Sequence, residues 1–245
     1  MKKLSVLLIS LFVAMLAACT PEQLALYNDL ANHEIKFGYI MLDEFMLGDV
    51  AQLINHANHV FTGKVESISF AVINNETGKA PTEECNPSRL TLVTIYDVAV
   101  TTAYKGAEQS IMRFLVQGGI KGYREYEQLF VTMEAGVALF AGSYRIMTLP
   151  ELSALEKGET YLFAALDLIV ELDGYSNFVG IVNTKQSVFD LYDPFELVDT
   201  WSDISVESII SEFGPTAFAE HWAWWQAETP NWEQRLEEGN PRSRQ

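Results

Sequence analysis

The chain is poor in cysteine and in positive charge. Two cysteines among 245 residues cannot build a disulfide scaffold, so the core has to come from apolar packing. Only 16 basic side chains face 33 acidic ones, a formal net charge of −17. That balance argues against non-specific binding to nucleic acid or to an anionic surface. Motifs of nucleophilic and phosphate chemistry are missing too. No serine lies in a Gly-x-Ser-x-Gly elbow, and Gly118, Gly119 and Gly122 read as turn glycines rather than a phosphate cradle. All five tryptophans fall in the last 45 residues, leaving the rest of the chain without one. What is present is apolar: 49% hydrophobic and 12% aromatic residues, enough to exclude a wholly disordered polymer and to fill one domain or two small ones.

The front of the chain carries an address. Lys2 and Lys3 precede Leu4–Ala18, an apolar run of 15 residues that is shorter than the ~20 needed for a comfortable membrane span. The run reads as the apolar region of a secretory signal. Leu16-Ala17-Ala18-Cys19 then resembles the lipobox of bacterial lipoproteins. The resemblance implies a diacylglycerol thioether on Cys19, cleavage before it, and acylation of the new amino group; several acyl chains anchor stably where one does not. It implies an envelope location, on the outer membrane if the cell has two, because Thr20 stands where an aspartate would favour inner-membrane retention. Cleavage would remove both lysines and take the net charge from −17 to −19. Cys85 would then be the one free thiol. It lies in Glu83-Glu84-Cys85-Asn86-Pro87, where two adjacent carboxylates are expected to raise its pKa and leave it inert.

The remaining chain divides into a tether and N-terminal segment over 19–47, a β domain over 48–192, a tryptophan-rich helical extension over 193–239 and a polar tail over 240–245. Thr20-Pro21-Glu22-Gln23 has the order of a helix start, followed by Leu24, Tyr27 and Ala31 at helical spacing, although a plain tether fits the stretch equally. Val50, Leu53, Ile54 and Ala57 form one face of a helix over Asp49–Ala57. The period then changes to two. Val60–Ile73 reads as a strand with Phe61 and Val65 on one face and Ile68, Phe70 and Val72 on the other, which predicts a bulge near Ser67. Arg89–Tyr104 predicts a strand with one buried face, and Ile111–Val116 a third strand. Leu129–Met133 and Val137–Phe140 predict a hairpin around Glu134-Ala135-Gly136. Further strands are expected at Thr160–Leu166, Phe178–Val182 and Val188–Leu191. Ser205 or Asp203 can cap a helix over Val206–Phe213, Pro215 opens another through Glu228, and Asn231 can cap a last short one. The expected fold is mainly β with flanking helices: a small antiparallel barrel plus a C-terminal helical segment.

Three patterns recur in order: His59-Val60-Phe61-Thr62-Gly63-Lys64-Val65 after a short helix, Tyr96–Val100 followed by Tyr104-Lys105-Gly106, and Gly158-Glu159-Thr160-Tyr161-Leu162-Phe163. Together they resemble bacterial secreted proteins and lipoproteins with an OB-like barrel, distantly similar to the netrin-like inhibitory domain of tissue inhibitors of metalloproteinases. The resemblance spans about residues 48–190. In that family the free amine of a disulfide-bonded N-terminal cysteine chelates the protease zinc. Here the implied amine is acylated and partner cysteines are lacking, so the inhibitory chemistry does not carry over. In the barrel reading Gly63 permits a close approach or bend, and Lys105-Gly106 and Lys157-Gly158 supply tight turns.

The candidates for chemistry are few. His56 and His59, three apart with Gln52 nearby, could reach one metal, but no third ligand is identifiable and a solvated helix face is the plainer reading. Asp190, Asp193, Glu196 and Asp199 recur every third residue without the spacing of a calcium loop. No catalytic residue, metal or cofactor is therefore expected. Phe218, Trp222 and Trp225 share a helix face expected to dock on the barrel, while Trp224 points elsewhere and is the candidate partner-binding residue. The expected function is a non-enzymatic envelope lipoprotein, held in the membrane through lipid on Cys19, that binds an envelope protein or glycan. The alternatives are an envelope hydrolase using carboxylates and a structural envelope component.

Overall fold

The computed structural model describes residues 35–39, 47–136, 144–148, 155–172, 177–183, 186–191 and 204–228. Cys19 and the signal, the proposed helices at Thr20 and Asn231, Val137–Phe140, and Asp193, Glu196 and Asp199 lie outside the described residues.

Helix α1 (Val50–His56) begins where Asp49 accepts a hydrogen bond from the Gln52 amide at 2.8 Å and buries Leu53 completely. Strand β2 (His59–Asn74) follows, and β1 (Ile35–Tyr39) precedes it; β1 pairs in parallel with β5 (Tyr144–Thr148), a pairing that the tether reading of 19–47 did not include. Strands β3 (Leu90–Lys105) and β4 (Ile111–Gln117) complete an antiparallel meander with β2. Strands β6 (Thr160–Asp167), β7 (Phe178–Ile181) and β8 (Val188–Asp190) follow. The order β2-β3-β4-β7-β6 returns to β2 through a β2–β6 pairing, and β8 pairs with Tyr161–Phe163 of β6, next to the Ala165–Asp167 stretch that pairs with β7. This six-strand ring is barrel-like without being fully closed, mainly β with flanking helices as the sequence predicts. It is mixed rather than purely antiparallel, because β4 and β7 run parallel over Arg113–Leu115 and Phe178–Gly180.

The bulge predicted near Ser67 is a shift in register between Val65 and Ser67. It reverses the alternation, so that Phe61, Val65, Ile68, Phe70 and Val72 all enter one inner core. Phe163 anchors that core, stacked on Phe61 at 5.0 Å and tilted against Phe114 at 5.1 Å. Gly63 is required by the same strand: a Cβ there would meet Val98 at 2.4 Å. Strand β3 differs from its one-faced expectation. Leu92, Tyr96 and Val98 face the inner core while Val93 and Ile95 are buried in a second, outer cluster.

Residues Leu129–Met133 are not a hairpin arm. They lie in helix α2 (Glu125–Glu134), whose face of Gln128, Leu129 and Thr132 is buried. Leu129 joins the inner core, and the Gln128 amide bonds the backbone of Ile120 and Tyr123. Packing against β2 and β3 therefore overrides the local alternation.

Helix α3 (Val206–Ser211) is capped by Ser205, whose side chain and that of Ser208 satisfy each other's backbone amides. After Gly214, α4 (Pro215–Glu228) begins at the predicted proline. Together α1 and α3 cover Val60, Leu162, Ala164 and Phe189 on the outside of the ring, and α4 lies over them through Ala217, Phe218 and Trp224. A polar latch closes this layer: Gln186, fully buried, accepts from the Leu47 amide and donates to the Leu47 carbonyl, both at 3.0 Å. Among the described residues no helix is long and apolar enough to cross a membrane.

Candidate functional site

Helix α4 packs through two of the three aromatics that the spacing predicts, Phe218 and Trp225, but its docking stripe is rotated away from Trp222. Trp225 is buried, but the other buried position is His221, not Trp222. Trp222 is half-buried and stacks on Phe218 and on Trp225, at 6.5 and 4.9 Å between ring centres. Trp224, expected near solvent, is half-buried against the outer core and stacked on His221 at 5.8 Å. The four-residue step from His221 to Trp225, with Ala217 one turn earlier, defines the docking stripe.

That rotation opens a cleft of about 220 Å³ between α4 and the ring. Its floor consists of Thr62 from β2, Thr101, Thr102 and Tyr104 from β3, Thr160 from β6, and Leu191. Its wall is Ala217, Glu220, His221 and Trp224. Thr62 and Thr160 are buried while Thr101, Thr102 and Glu220 are exposed, so hydroxyls run from the mouth inward. Thr101 donates to Thr62 at 3.3 Å. Tyr104 is held by a stacked contact with Phe213 at 5.3 Å.

The electrostatics leave this cleft nearly neutral. Burial, and then the Glu220 carboxylate, push the Tyr104 phenol up to about 12, so it remains a donor. Burial pushes the His221 imidazole down to about 4, so at neutral pH it is uncharged and offers one donor and one acceptor. None of the described lining residues is cationic at neutral pH, and Glu220 is the one carboxylate among them. The cleft can thus hydrogen-bond a polar ligand and offer it aromatic surface, and it is unsuited to an anion.

The histidine pair separates. Helix α1 ends at His56, which is exposed, and His59 belongs to β2. His59 Nδ1 accepts from the Ala107 amide at 2.8 Å and Nε2 lies 2.6 Å from Asp167 Oδ1, which assigns the ring proton to Nε2. Both nitrogens are committed, so the ring clamps the β3–β4 turn to β6 and supplies no base to the 360 Å³ hollow beside it. Gly106 is at φ 58°, and a Cβ there would meet His59 at 2.5 Å, which explains the glycine in that turn. No group of three metal-ligating side chains occurs among the described residues.

Cys85 is corrected. Its sulfur accepts from the Thr82 amide at 3.3 Å and from Asn74 at 3.5 Å, and shares a hydrogen bond with the Thr82 hydroxyl at 3.3 Å. The Thr82 side chain, then its backbone, then Asn74 lower the pKa and outweigh desolvation and the Glu84 charge. The neighbouring carboxylates therefore do not set it.

Comparison with models of protein families, with curated proteins and with solved structures finds no match to this chain.

Proposed function

We propose that this chain is a non-enzymatic lipoprotein of the bacterial cell envelope, anchored through lipid on Cys19, that binds an envelope protein or glycan at the cleft beside α4. The observation that carries the binding reading is the make-up of that cleft. Trp224 and Tyr104 supply aromatic surface next to four threonine hydroxyls, the combination by which concave sites orient a partially polar ligand. The anchoring reading rests on Leu16-Ala17-Ala18-Cys19 behind its basic and apolar segments. An acidic chain of net charge −17 gains little attraction from an anionic surface, so a covalent lipid would be the means of holding it there.

Two measurements test the reading. Labelling with radioactive palmitate should mark the natural chain and not Cys19→Ser, which should also leave the membrane fraction; unchanged labelling in the variant overturns the anchor. Photocrosslinking in intact envelopes should trap a partner that is lost in Trp224→Ala, with circular dichroism showing that the variant still folds. A crosslinked partner indifferent to Trp224 overturns the assignment of binding to this cleft.

A further inference from the structure

We propose that the cleft beside α4 holds a single uncharged sugar ring of an envelope glycan; this rests on the reading of that cleft as the binding site and names its ligand class. Size is the first argument. At about 220 Å³ the cleft falls below the ~300 Å³ at which sites for drug-sized ligands begin, so it suits one small ring rather than an extended polymer segment. Polarity is the second. Thr101 donates to Thr62, which leaves the Thr62 O–H to donate in turn, and the exposed Thr102 and Glu220 stand among the lining residues. A hydroxyl both donates and accepts, and it matches the alternating donors and acceptors around a sugar ring. Aromatic surface is the third. Trp224 and Tyr104 line the same space and can cover the C–H face of a ring that is polar only at its edge.

Charge selects among polar rings. Glu220 is the one charged lining residue at neutral pH, and His221 is neutral there. A uronate or phosphorylated sugar would meet like charge with no cationic side chain among the described lining residues to offset it. A small quaternary cation would suit the aromatic faces and Glu220, but it would leave the buried hydroxyls of Thr62 and Thr160 without a ligand partner.

The test is equilibrium dialysis with the protein purified from membranes in a polyoxyethylene detergent, which carries no sugar. The probes are labelled methyl glucoside, methyl galactoside, N-acetylglucosamine, glucuronate and choline. At least one of the three neutral sugars should bind saturably. Trp224→Ala should weaken it by about two- to tenfold, the loss expected for an aromatic partner. Thr102→Val at an exposed position should weaken it with an unchanged melting temperature, and it decides the matter if Trp224→Ala unfolds. Binding confined to glucuronate or choline, or neutral-sugar binding indifferent to both variants, overturns the proposal. If no sugar binds while the crosslinked envelope partner still depends on Trp224, the sugar inference falls and the binding reading stands. If that dependence is absent as well, both fall.

Discussion

At the scale of single residues, hydrogen bonding outranks neighbouring charge. Glu83 and Glu84 adjoin Cys85 in sequence, yet Thr82 and Asn74 aim their donors at the sulfur. Donors to a thiol stabilise the thiolate directly, whereas exposed carboxylates act through water of high dielectric constant. Thr82→Val should therefore shift the pH profile of Cys85 alkylation by iodoacetamide upward. Glu84→Gln should shift it slightly downward, since its charge opposes the thiolate. A profile that moves only with Glu84 would reverse this order of causes. His59 obeys the same logic: its two hydrogen bonds assign its tautomer and orient the ring.

At the scale of elements, helix faces decide what folds where. In α4 the buried aromatic is Trp225, so Trp225→Ala should cost ~3–5 kcal/mol in chemical denaturation, the range for truncating a buried large aromatic. Trp222→Ala, at a half-buried and stacked position, should cost distinctly less; equal losses would mean that α4 docks by both faces. Helix α2 rests on Gln128, a fully buried amide that satisfies the 120–123 turn. Gln128→Leu should destabilise by ~1–3 kcal/mol for each backbone group left unpaired and buried, read in urea denaturation. A neutral outcome would show that water reaches that turn. The sequence signal for α2 was weak for a physical reason. Its buried face carries one aliphatic residue, Leu129, and its start lacks a side-chain cap, with Arg124 at φ 47°. The glutamates of its first turn and Gly136 behind it were the available signs.

At the scale of the whole molecule, the outer helical layer should make stability depend on pH through His221. Its folded pKa is lowered to about 4 from the ordinary 6.5. As pH falls from 6.5 toward 4 the unfolded chain takes up the proton before the folded one, so stability declines across that window. His221→Phe should flatten this part of the melting-temperature profile relative to the natural chain. An unchanged slope would assign the decline to other groups. The latch from Gln186 to Leu47 belongs to the same scale, since it joins positions 139 residues apart.

The sequence by itself determined the strands of the ring, the bulge at Ser67, the close approach at Gly63, the helix over Asp49–Ala57, the capping serine at Ser205 and the start of α4 at Pro215, because each depends on local period, turn chemistry or capping. Tertiary structure decided the rest. The parallel β4–β7 pairing, the burial of both faces of β3 and the helical state of 125–134 follow from what the ring packs against. The cleft was decided only there as well. Thr62, Thr101, Thr160 and Glu220 come from four separate elements, and no spacing along the chain marks side chains that meet only when α4 turns its His221–Trp225 face toward the barrel.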